Sequence, residues 1–480
     1  MWKAVSQAFR QLSGIAVAVI LARLLTPHDY GVAAMVLVFA SLVIIFSDLA
    51  LGAALVQRER LTELERSTVF WTSAAVGLCF TLAGIALSGP VASFYGEPEV
   101  KPLFAALSLS FLVTALGTTQ VALMNREMDF RSLELRMMAG TMAGGVVGVV
   151  AAARGYGAWA IIAQQLTVAV VSTCLLWALS PWRPRFVFSV TSLRELGGFS
   201  ANVFGTRLLF YLNRNVDNLL IGRFLGPAAL GAYAVAYNIM LAPLGRIAQP
   251  IVEVLFPAFS RMQQERARVA SLWLRVNRVV GTITIPGMLG LILVAPEFVE
   301  VVLGPRWEPA VPVIQILAWV GLLQSLQRLN SSVLQAFDRT RTLLWYSIVV
   351  LVASLAAFVV GLQWGIVGVA AAYAIASTFV EPYYAWLTMR VLGISVREYV
   401  GNLAGVAVAA LAMAACVLAV RTLVVPDDLP AALRLLILVA VGIAAFVPLW
   451  GWRAPDVLAD LRALRKPADG VGPGAAASRA

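Results

Sequence analysis

Four polar side chains recur along one apolar segment of this sequence, and two of them carry guanidinium groups. They follow the spacing i, i+4, i+7 and i+11 and so share one face of a helix: Arg207, Tyr211, Arg214 and Asn218. Asp217 lies three residues beyond Arg214, within reach of an ion pair on the same helix. Guanidinium groups stay charged at any relevant pH and bind phosphate oxygens two at a time. The stripe therefore predicts part of the wall of a central, water-filled cavity.

Ionisable side chains also interrupt other apolar segments, where a charge is expensive and such residues are functional candidates by default. The basic ones extend the predicted cavity wall: Arg10, Arg246 and Arg328. The acidic ones are candidates to bind Na⁺ or a proton as a coupling ion: Asp48, Glu253 and Glu381. Pro382, directly after Glu381, predicts a break in that helix. The opposite interpretation stays open, because pairs such as Arg246 with Glu253 would simply brace a bundle.

The composition shows what kind of element must carry these side chains. Of the 480 residues, 60% are hydrophobic and 13% are charged, and the mean hydropathy is +0.85. A soluble protein has roughly a quarter charged residues. Apolar runs of about 20 residues recur along the whole chain, which is the length that crosses hydrocarbon as a helix. A soluble domain and a transmembrane β-barrel are both excluded, since barrel strands are about ten residues long and alternate in polarity.

The apolar runs predict an all-α polytopic membrane protein with about fourteen spanning helices. Their approximate bounds are 2–25, 30–56, 67–94, 102–124, 137–153, 158–179, 202–225, 228–257, 273–303, 310–336, 343–362, 366–390, 400–423 and 431–450.

The distribution of charge predicts the orientation of these helices. Most of the 36 Lys and Arg fall at the amino end, in every second loop and in the tail, as the positive-inside rule expects of cytoplasmic segments. The other loops hold only Arg23, Lys101, Arg154, Arg223, Arg306 and Arg421. Both termini are therefore predicted to be cytoplasmic. The net charge of +11 records this topology and leaves little reason to expect nucleic acid as a partner.

One phrase occurs twice at an offset of two hundred residues. "ILARLLTPHDYGVAA" starts at Ile20 and "LIGRFLGPAALGAYA" starts at Leu220, and both keep Arg-x-Leu-x-Pro-x-x-x-Gly in register. Thr26 and Pro27 are typical of an N-cap and a first helical residue, so the phrase predicts a corner between two spans. Gly31 and Gly231 are expected to let each returning helix approach its predecessor closely.

The repeat predicts two related halves. A weaker echo, "RGYGAWAI" from Arg154 and "LQWGIVGVAAAY" from Leu362, has about the same offset. Six helices in each half give parallel repeats about an axis along the membrane normal, an arrangement used by transporters that alternate access. The predicted organisation is a first half, a basic cytoplasmic linker, a second half, two further helices and a cytoplasmic tail: 1–179, 180–201, 202–392, 393–452 and 453–480.

At this level the sequence resembles a known family. The corner "ARLLTPHDYG", "FSDLALGAALVQR" (Phe46–Arg58), "VDNLLIGRFLGPAALGAYAVAY" (Val216–Tyr237) and "VLFPAFSRM" (Val254–Met262) are similar to polysaccharide flippases. These belong to the multidrug/oligosaccharidyl-lipid/polysaccharide exporter superfamily. The resemblance covers nearly the whole chain, although family members usually have a longer cytoplasmic start.

The resemblance implies a transporter rather than an enzyme. It would move an undecaprenyl-diphosphate-linked oligosaccharide across the bacterial inner membrane, for export of O-antigen, capsule or exopolysaccharide, with a glycan polymerase or export machinery as possible partner. The diphosphate would meet the predicted arginines, while the polyprenyl tail stays among membrane lipids. The alternatives are a flippase for the lipid-linked peptidoglycan precursor, a drug or metabolite antiporter, and a membrane glycosyltransferase or polymerase.

Other residues carry weaker expectations. Cys79, Cys174 and Cys416 fall in apolar spans and are expected to be packing residues, and His28 has no predicted metal-binding partner. Neither a metal nor a cofactor is therefore expected. Tryptophans near span ends are expected to anchor at the interface: Trp182, Trp307, Trp450 and Trp452. The linker is expected to lie on the membrane face, and the Gly/Ala/Pro-rich end of the tail to be disordered.

Overall fold

Helices account for the regular structure of this chain in the computed structural model. It describes residues 2–47, 61–191, 200–243, 261–426 and 428–453, with the single positions 55, 58, 245 and 259. The helices of the amino-terminal part are α1 Trp2–Leu24, α2 Pro27–Ser47, α3 Glu63–Tyr95, α4 Val100–Ala115, α5 Thr118–Arg126, α6 Phe130–Ala153 and α7 Trp159–Leu179. Those that follow are α8 Ser200–Leu225, α9 Pro227–Pro243, α10 Arg266–Phe298, α11 Val311–Gln327, α12 Asn330–Ala336, α13 Thr340–Gly361, α14 Gly365–Leu392, α15 Val396–Leu423 and α16 Ala431–Arg453.

These helices confirm the predicted all-α membrane architecture. Each predicted span overlaps a described helix, and the described residues contain no β-strand. Within the described part, nine helical segments are long and apolar enough to cross a membrane, and two shorter apolar helices cover Pro27–Leu42 and Pro227–Ala242. The total of fourteen spans stays a prediction.

Contacts divide the chain into two compact units. The first contains Met1–Val235, Val302–Pro309 and Phe358–Val369, and the second contains Ala236–Val301, Ala310–Ala357 and Ala370–Ala480. The predicted boundary between the halves, at 180–201, lies partly outside the described residues and stays a prediction, as do the other predicted domain limits. The tail from residue 454 onward also lies outside the described residues.

In the first unit, glycines let α6 and α7 pack closely. Gly140, Gly144 and Gly148 lie one turn apart on α6, and a methyl group on any of them would press against α7. At Gly144, for example, the added carbon would lie 2.8 Å from the carbonyl oxygen of Gln164. Small residues at this spacing are a common device for close helix packing in membranes. The pair forms a tight hairpin that α1 packs against through Arg10 and Glu134.

In the second unit, an apolar core encloses a short chain of polar bonds. Trp273 is fully buried, stacks on Tyr399 and donates its indole N–H to the amide oxygen of Asn330 at 3.1 Å. Asn330 in turn donates to Gln327 at 2.6 Å. Buried polar groups need such partners, since an unpaired one costs about 1–3 kcal/mol. The network fixes α10 against the junction of α11 and α12.

Candidate functional site

The corner between α1 and α2 forms as its sequence predicts. The Asp29 carboxylate accepts from the backbone N–H and the hydroxyl of Thr26, at 2.8 and 2.7 Å. The Thr26 hydroxyl accepts from the Asp29 N–H at 3.2 Å, and α2 begins at Pro27. The predicted N-cap is therefore confirmed. The second corner is also confirmed, because α9 begins at Pro227 directly after Gly226, whose φ is +84°.

The two copies of the repeated phrase pack directly against each other. A Cβ on Gly31 would overlap the carbonyl of Pro227, and a Cβ on Gly231 would overlap the carbonyl of Pro27. The prediction that each glycine serves contact with the preceding helix is therefore wrong, because the close neighbour is the other corner. Each glycine meets the proline of the other copy, and such a reciprocal contact requires a local two-fold relation. We call these four residues the corner contact.

Trp307 also packs on the first corner. It is fully buried, with a relative exposure of 0%, and its indole N–H donates to the carbonyl of Ala22 at 2.8 Å. Its ring meets the edge of Tyr30 at a centroid distance of 5.1 Å, and Arg23 donates to the Val302 carbonyl at 3.3 Å. The prediction of an interfacial tryptophan is wrong at this position. Trp307 instead satisfies a carbonyl at the end of α1, where no further turn supplies a donor.

This contact predicts a graded response to substitution of Trp307. Trp307→Phe keeps much of the ring but loses the hydrogen bond to Ala22, and we expect a loss of about 1 kcal/mol. Trp307→Ala also empties a packed site, and we expect a loss of about 3–5 kcal/mol in the stability of the folded protein. Thermal unfolding of purified protein measures both changes. Equal midpoints for the two variants would contradict the described packing.

Two residues on the polar side of α8 are buried by other helices, and the cavity wall predicted for the stripe stays a prediction. Tyr211 is buried, and its hydroxyl donates to the carbonyl of Val38 on α2. Asp217 is buried as well, and its carboxylate accepts from the Tyr233 hydroxyl at 3.1 Å. Among the described residues, Arg214 makes no ion pair with Asp217 at contact distance, but it is close enough to attract this carboxylate electrostatically. Tyr211 and Asp217 hold α8 in the first unit.

Arg214 differs from its neighbours on α8 because its side chain is exposed. It lies about 21 Å along the helix from Ser200, well inside a segment of membrane-spanning length. An exposed guanidinium at that depth is expensive in lipid, so it must face protein or water. Asn218 flanks it with a buried side-chain oxygen that has no described hydrogen-bond partner. The side chain of Arg207 lies outside the described residues.

Arg10 makes an ion pair within the first unit. Its guanidinium lies 2.9 Å from the carboxylate of Glu134 on α6, and both side chains are largely covered. Sequence reasoning missed Glu134. The available signal was an acidic residue near the start of α6, which could pair with the basic residue of α1. The pair is compatible with a structural role, and placement of Arg10 in the cavity wall stays a prediction.

Charge exchange separates the two roles of Arg10. We expect Arg10→Glu and Glu134→Arg each to lower the amount of folded protein, since a covered charge loses its partner. The double variant restores the pair with reversed polarity. Recovery of both protein level and activity in the double variant is the expected result for a bracing pair. Recovery of protein level without activity would show instead that Arg10 itself takes part in that activity.

Glu381 lies in a buried aromatic cluster of the second unit. The hydroxyl of Tyr346 donates to its carboxylate at 3.4 Å, and Tyr346 stacks on Tyr384 at a centroid distance of 3.8 Å. Arg328, at the turn between α11 and α12, is close enough to attract this carboxylate electrostatically. The predicted helix break at Pro382 is wrong, because α14 continues through it. Both roles predicted for Glu381 therefore remain open.

Three further predicted site residues lie outside the described residues: Asp48, Arg246 and Glu253. Their roles stay predictions. The cysteines at 79, 174 and 416 are free and exposed on the protein surface, so the prediction of packing residues is wrong. His28 lies 3.8 Å from the carboxylate of Glu97.

The second unit also contains an apolar cavity that sequence reasoning missed. Its volume is about 400 Å³, and α10, α15 and α16 line it with apolar residues. Gly287 and Gly290 open its wall, since an added Cβ would meet nothing within 4 Å at either position. This cavity is open on one side, and its apolar lining suits hydrocarbon. The spacing of these glycines beside Pro286 was the available signal in the sequence.

Comparison with known proteins decides the family. Residues 20–312 match a protein family described as polysaccharide biosynthesis protein, which covers more than half of the chain. The chain belongs to this family. The resemblance found in the corner motifs is thereby confirmed.

Individual proteins extend the match. The chain is 29% identical to the lipopolysaccharide biosynthesis protein WzxC of Escherichia coli (strain K12), over 84% of this chain and 82% of WzxC. It is 30% identical to the teichuronic acid biosynthesis protein TuaB of Bacillus subtilis (strain 168), over 75% of each chain. Among solved structures, the lipid II flippase MurJ in an inward closed conformation matches with a TM-score of 0.75 at 15% identity, over 95% of this chain and 99% of MurJ. This family member therefore shares the fold of MurJ.

Proposed function

We propose that this protein flips an undecaprenyl-diphosphate-linked oligosaccharide from the inner to the outer leaflet of the bacterial inner membrane. Its glycan would serve export of an O-antigen, capsule or exopolysaccharide. The family membership and the names of WzxC and TuaB support a role in polysaccharide biosynthesis. The flippase fold supports transport rather than sugar transfer. Both termini lie in the cytoplasm in this proposal, in keeping with the positive charge of alternate loops.

The observation that carries the mechanism is the corner contact. Alternating access needs an end of the transporter that closes tightly and opens again. Gly31 and Gly231 bring two backbone segments together without intervening side chains, at the end that the charge pattern places outside. Such a contact holds the outer end shut and can separate without unfolding either helix. The substrate head group would then enter from the cytoplasmic side.

The head group and the tail would use different surfaces. Arg214, exposed at mid-helix, suits a diphosphate because a guanidinium binds two phosphate oxygens and keeps its charge. The apolar cavity of the second unit accepts hydrocarbon, which suits part of a polyprenyl chain. Neither surface would recognise the order of the sugars, so the same arrangement would serve different glycans.

A coupling ion is part of this proposal, with Glu381 as its carrier. We expect an imposed Na⁺ or proton gradient to accelerate flipping in liposomes, and Glu381→Gln to remove the response because the amide cannot be charged. Glu398→Gln, at an exposed helix start, is the control and should respond like the unmodified protein. A wild-type rate that is indifferent to Na⁺, proton and voltage gradients would end the coupling hypothesis.

Deletion of the gene tests the function in cells. The expected phenotype is accumulation of a lipid-linked oligosaccharide on the inner leaflet, with loss of the corresponding surface polysaccharide. Accumulation of the lipid-linked peptidoglycan precursor instead would favour the alternative flippase. Drug sensitivity with normal polysaccharide would favour the antiporter.

A further inference from the structure

A short extended segment after α7 is fastened to the first turns of α3. We call residues 180–190 the strap. The indole N–H of Trp71 donates to the Arg185 carbonyl at 2.8 Å, and the Arg185 N–H donates to the Ser67 hydroxyl at 3.1 Å. The Ser189 N–H donates to the hydroxyl of Thr68, also at 3.1 Å. Ser67 and Thr68 are fully buried, so the strap occupies a defined position on α3.

A fourth bond and a charged contact hold the start of the strap. Trp182 donates its indole N–H to the Glu63 carboxylate at 3.1 Å. Arg183 donates to the Trp177 carbonyl at 2.8 Å and lies 5.7 Å from the centre of the Trp177 ring, which satisfies the carboxyl end of α7. The strap is therefore tied at both ends, and its backbone cannot rotate to bury other side chains.

The side chains left outside by this fastening are apolar. Phe186 is 92% exposed, Val190 is 66% exposed and Phe188 is 53% exposed. Phe186 stacks on Trp71 at a centroid distance of 5.0 Å, so the aromatic surface continues onto α3. Arg185 is exposed between these groups. Removing apolar surface from water is favourable by about 25 cal/mol per Å². A surface with several exposed apolar side chains therefore needs a partner that covers it.

Position and charge identify the partner. α3 has 33 residues and is about 50 Å long, whereas the hydrocarbon core is about 30 Å thick, so its ends extend into the interface. The strap lies at the end of α3 that the charge pattern places at the cytoplasm. Segments that lie at the membrane interface are rich in aromatic side chains and arginines. The positive charge of arginine attracts the negative headgroups of anionic lipids.

We propose that the strap is a lipid-binding edge, with Phe186, Phe188 and Val190 inserted at the boundary of the inner leaflet and Arg185 on the phosphate of an anionic phospholipid. It anchors the first unit to the inner leaflet independently of the transported glycan. The exposed face is thus covered by lipid rather than by a protein partner.

Fluorescence in nanodiscs tests the insertion. The three native cysteines at 79, 174 and 416 are replaced by alanine, and an environment-sensitive probe is attached through Phe188→Cys or, separately, Val190→Cys. A probe on Glu265→Cys, exposed in a polar segment before α10, is the aqueous control. The discs contain phosphatidylglycerol and phosphatidylcholine, with a shallow doxyl quencher on either lipid. We expect the strap probes to be quenched by doxyl lipid and shielded from iodide, and the control to behave oppositely.

The charge contribution is measured with the same probes. Because a basic side chain near an anionic surface strengthens binding about five-fold, Arg185→Ala should reduce the preference for quenching by phosphatidylglycerol by about that factor. Strap probes that iodide quenches as readily as the Glu265→Cys control would overturn the proposal. If the strap probes then became protected from iodide only after native membrane proteins were added, the strap would bind a protein partner instead. An unchanged preference for phosphatidylglycerol in Arg185→Ala would show that Arg185 does not contact the lipid phosphate.

Discussion

Glycan export will fall at least about five-fold when Gly31 or Gly231 is replaced by alanine, while the amount of protein in the membrane stays near normal. The reason is the corner contact, in which a single added methyl group would overlap a backbone carbonyl of the other copy. Overpacking of this kind costs about 1–3 kcal/mol, which shifts an equilibrium between closed and open outer ends by about 5- to 150-fold. Surface polysaccharide measured against membrane protein level gives the result.

The substitution is not expected to disturb the helices themselves. Alanine is about 1 kcal/mol more favourable than glycine inside a helix. Gly401→Ala in α15 is the matched control, because an added methyl group there meets nothing within 4 Å. We expect the control to export normally. Normal export by Gly31→Ala and Gly231→Ala at normal protein level would show that the corner contact does not limit transport.

Arg214→Ala will reduce export by about ten-fold or more, without lowering protein level. Its guanidinium is exposed in the middle of α8 and is not in close ion-pair contact with the buried Asp217, so we expect the fold to tolerate its loss. Hydrogen bonds to charged groups contribute about 1.5–3 kcal/mol, which corresponds to about 10- to 150-fold in affinity. Arg214→Lys keeps the charge but loses the two-pronged geometry, so we expect an intermediate value. Export is measured in a deletion strain that carries each variant.

Arg223→Ala is the control on the same helix. Arg223 is exposed at the end of α8 and lies 5.9 Å from the ring centre of Phe94, away from the proposed phosphate contact. We expect nearly full export from this variant. If Arg214→Ala and Arg207→Ala both export like Arg223→Ala, the phosphate-binding role of the α8 arginines is wrong.

Local sequence signals predicted the elements well. The membrane architecture followed from apolar runs, and the cap at Thr26 followed from Thr26, Pro27 and Asp29 at the start of the helix. Both depend on short-range chemistry that a sequence contains directly. The family was also visible in the corner motifs, because those residues are constrained by one local geometry.

Long-range contacts were harder to predict. The repeat showed that Gly31 and Gly231 occupy equivalent places, but not that each meets the proline of the other copy. Trp307 had the position of an interfacial residue and is instead fully buried against the end of α1. The ion pair of Arg10 with Glu134 joins helices far apart in the chain. Periodicity gives the face of a helix, but it does not give the neighbour of that face.

Direct observation of flipping tests the central claim. Purified protein is reconstituted into liposomes that contain a fluorescent oligosaccharide linked to undecaprenyl diphosphate in both leaflets, and an impermeant quencher reports the label that reaches the outer surface. We expect wild-type protein to expose the inner-leaflet label, and Gly31→Ala to leave it protected. A wild-type rate equal to that of protein-free liposomes, under every imposed gradient, would contradict the claim that this protein is a flippase for lipid-linked oligosaccharide.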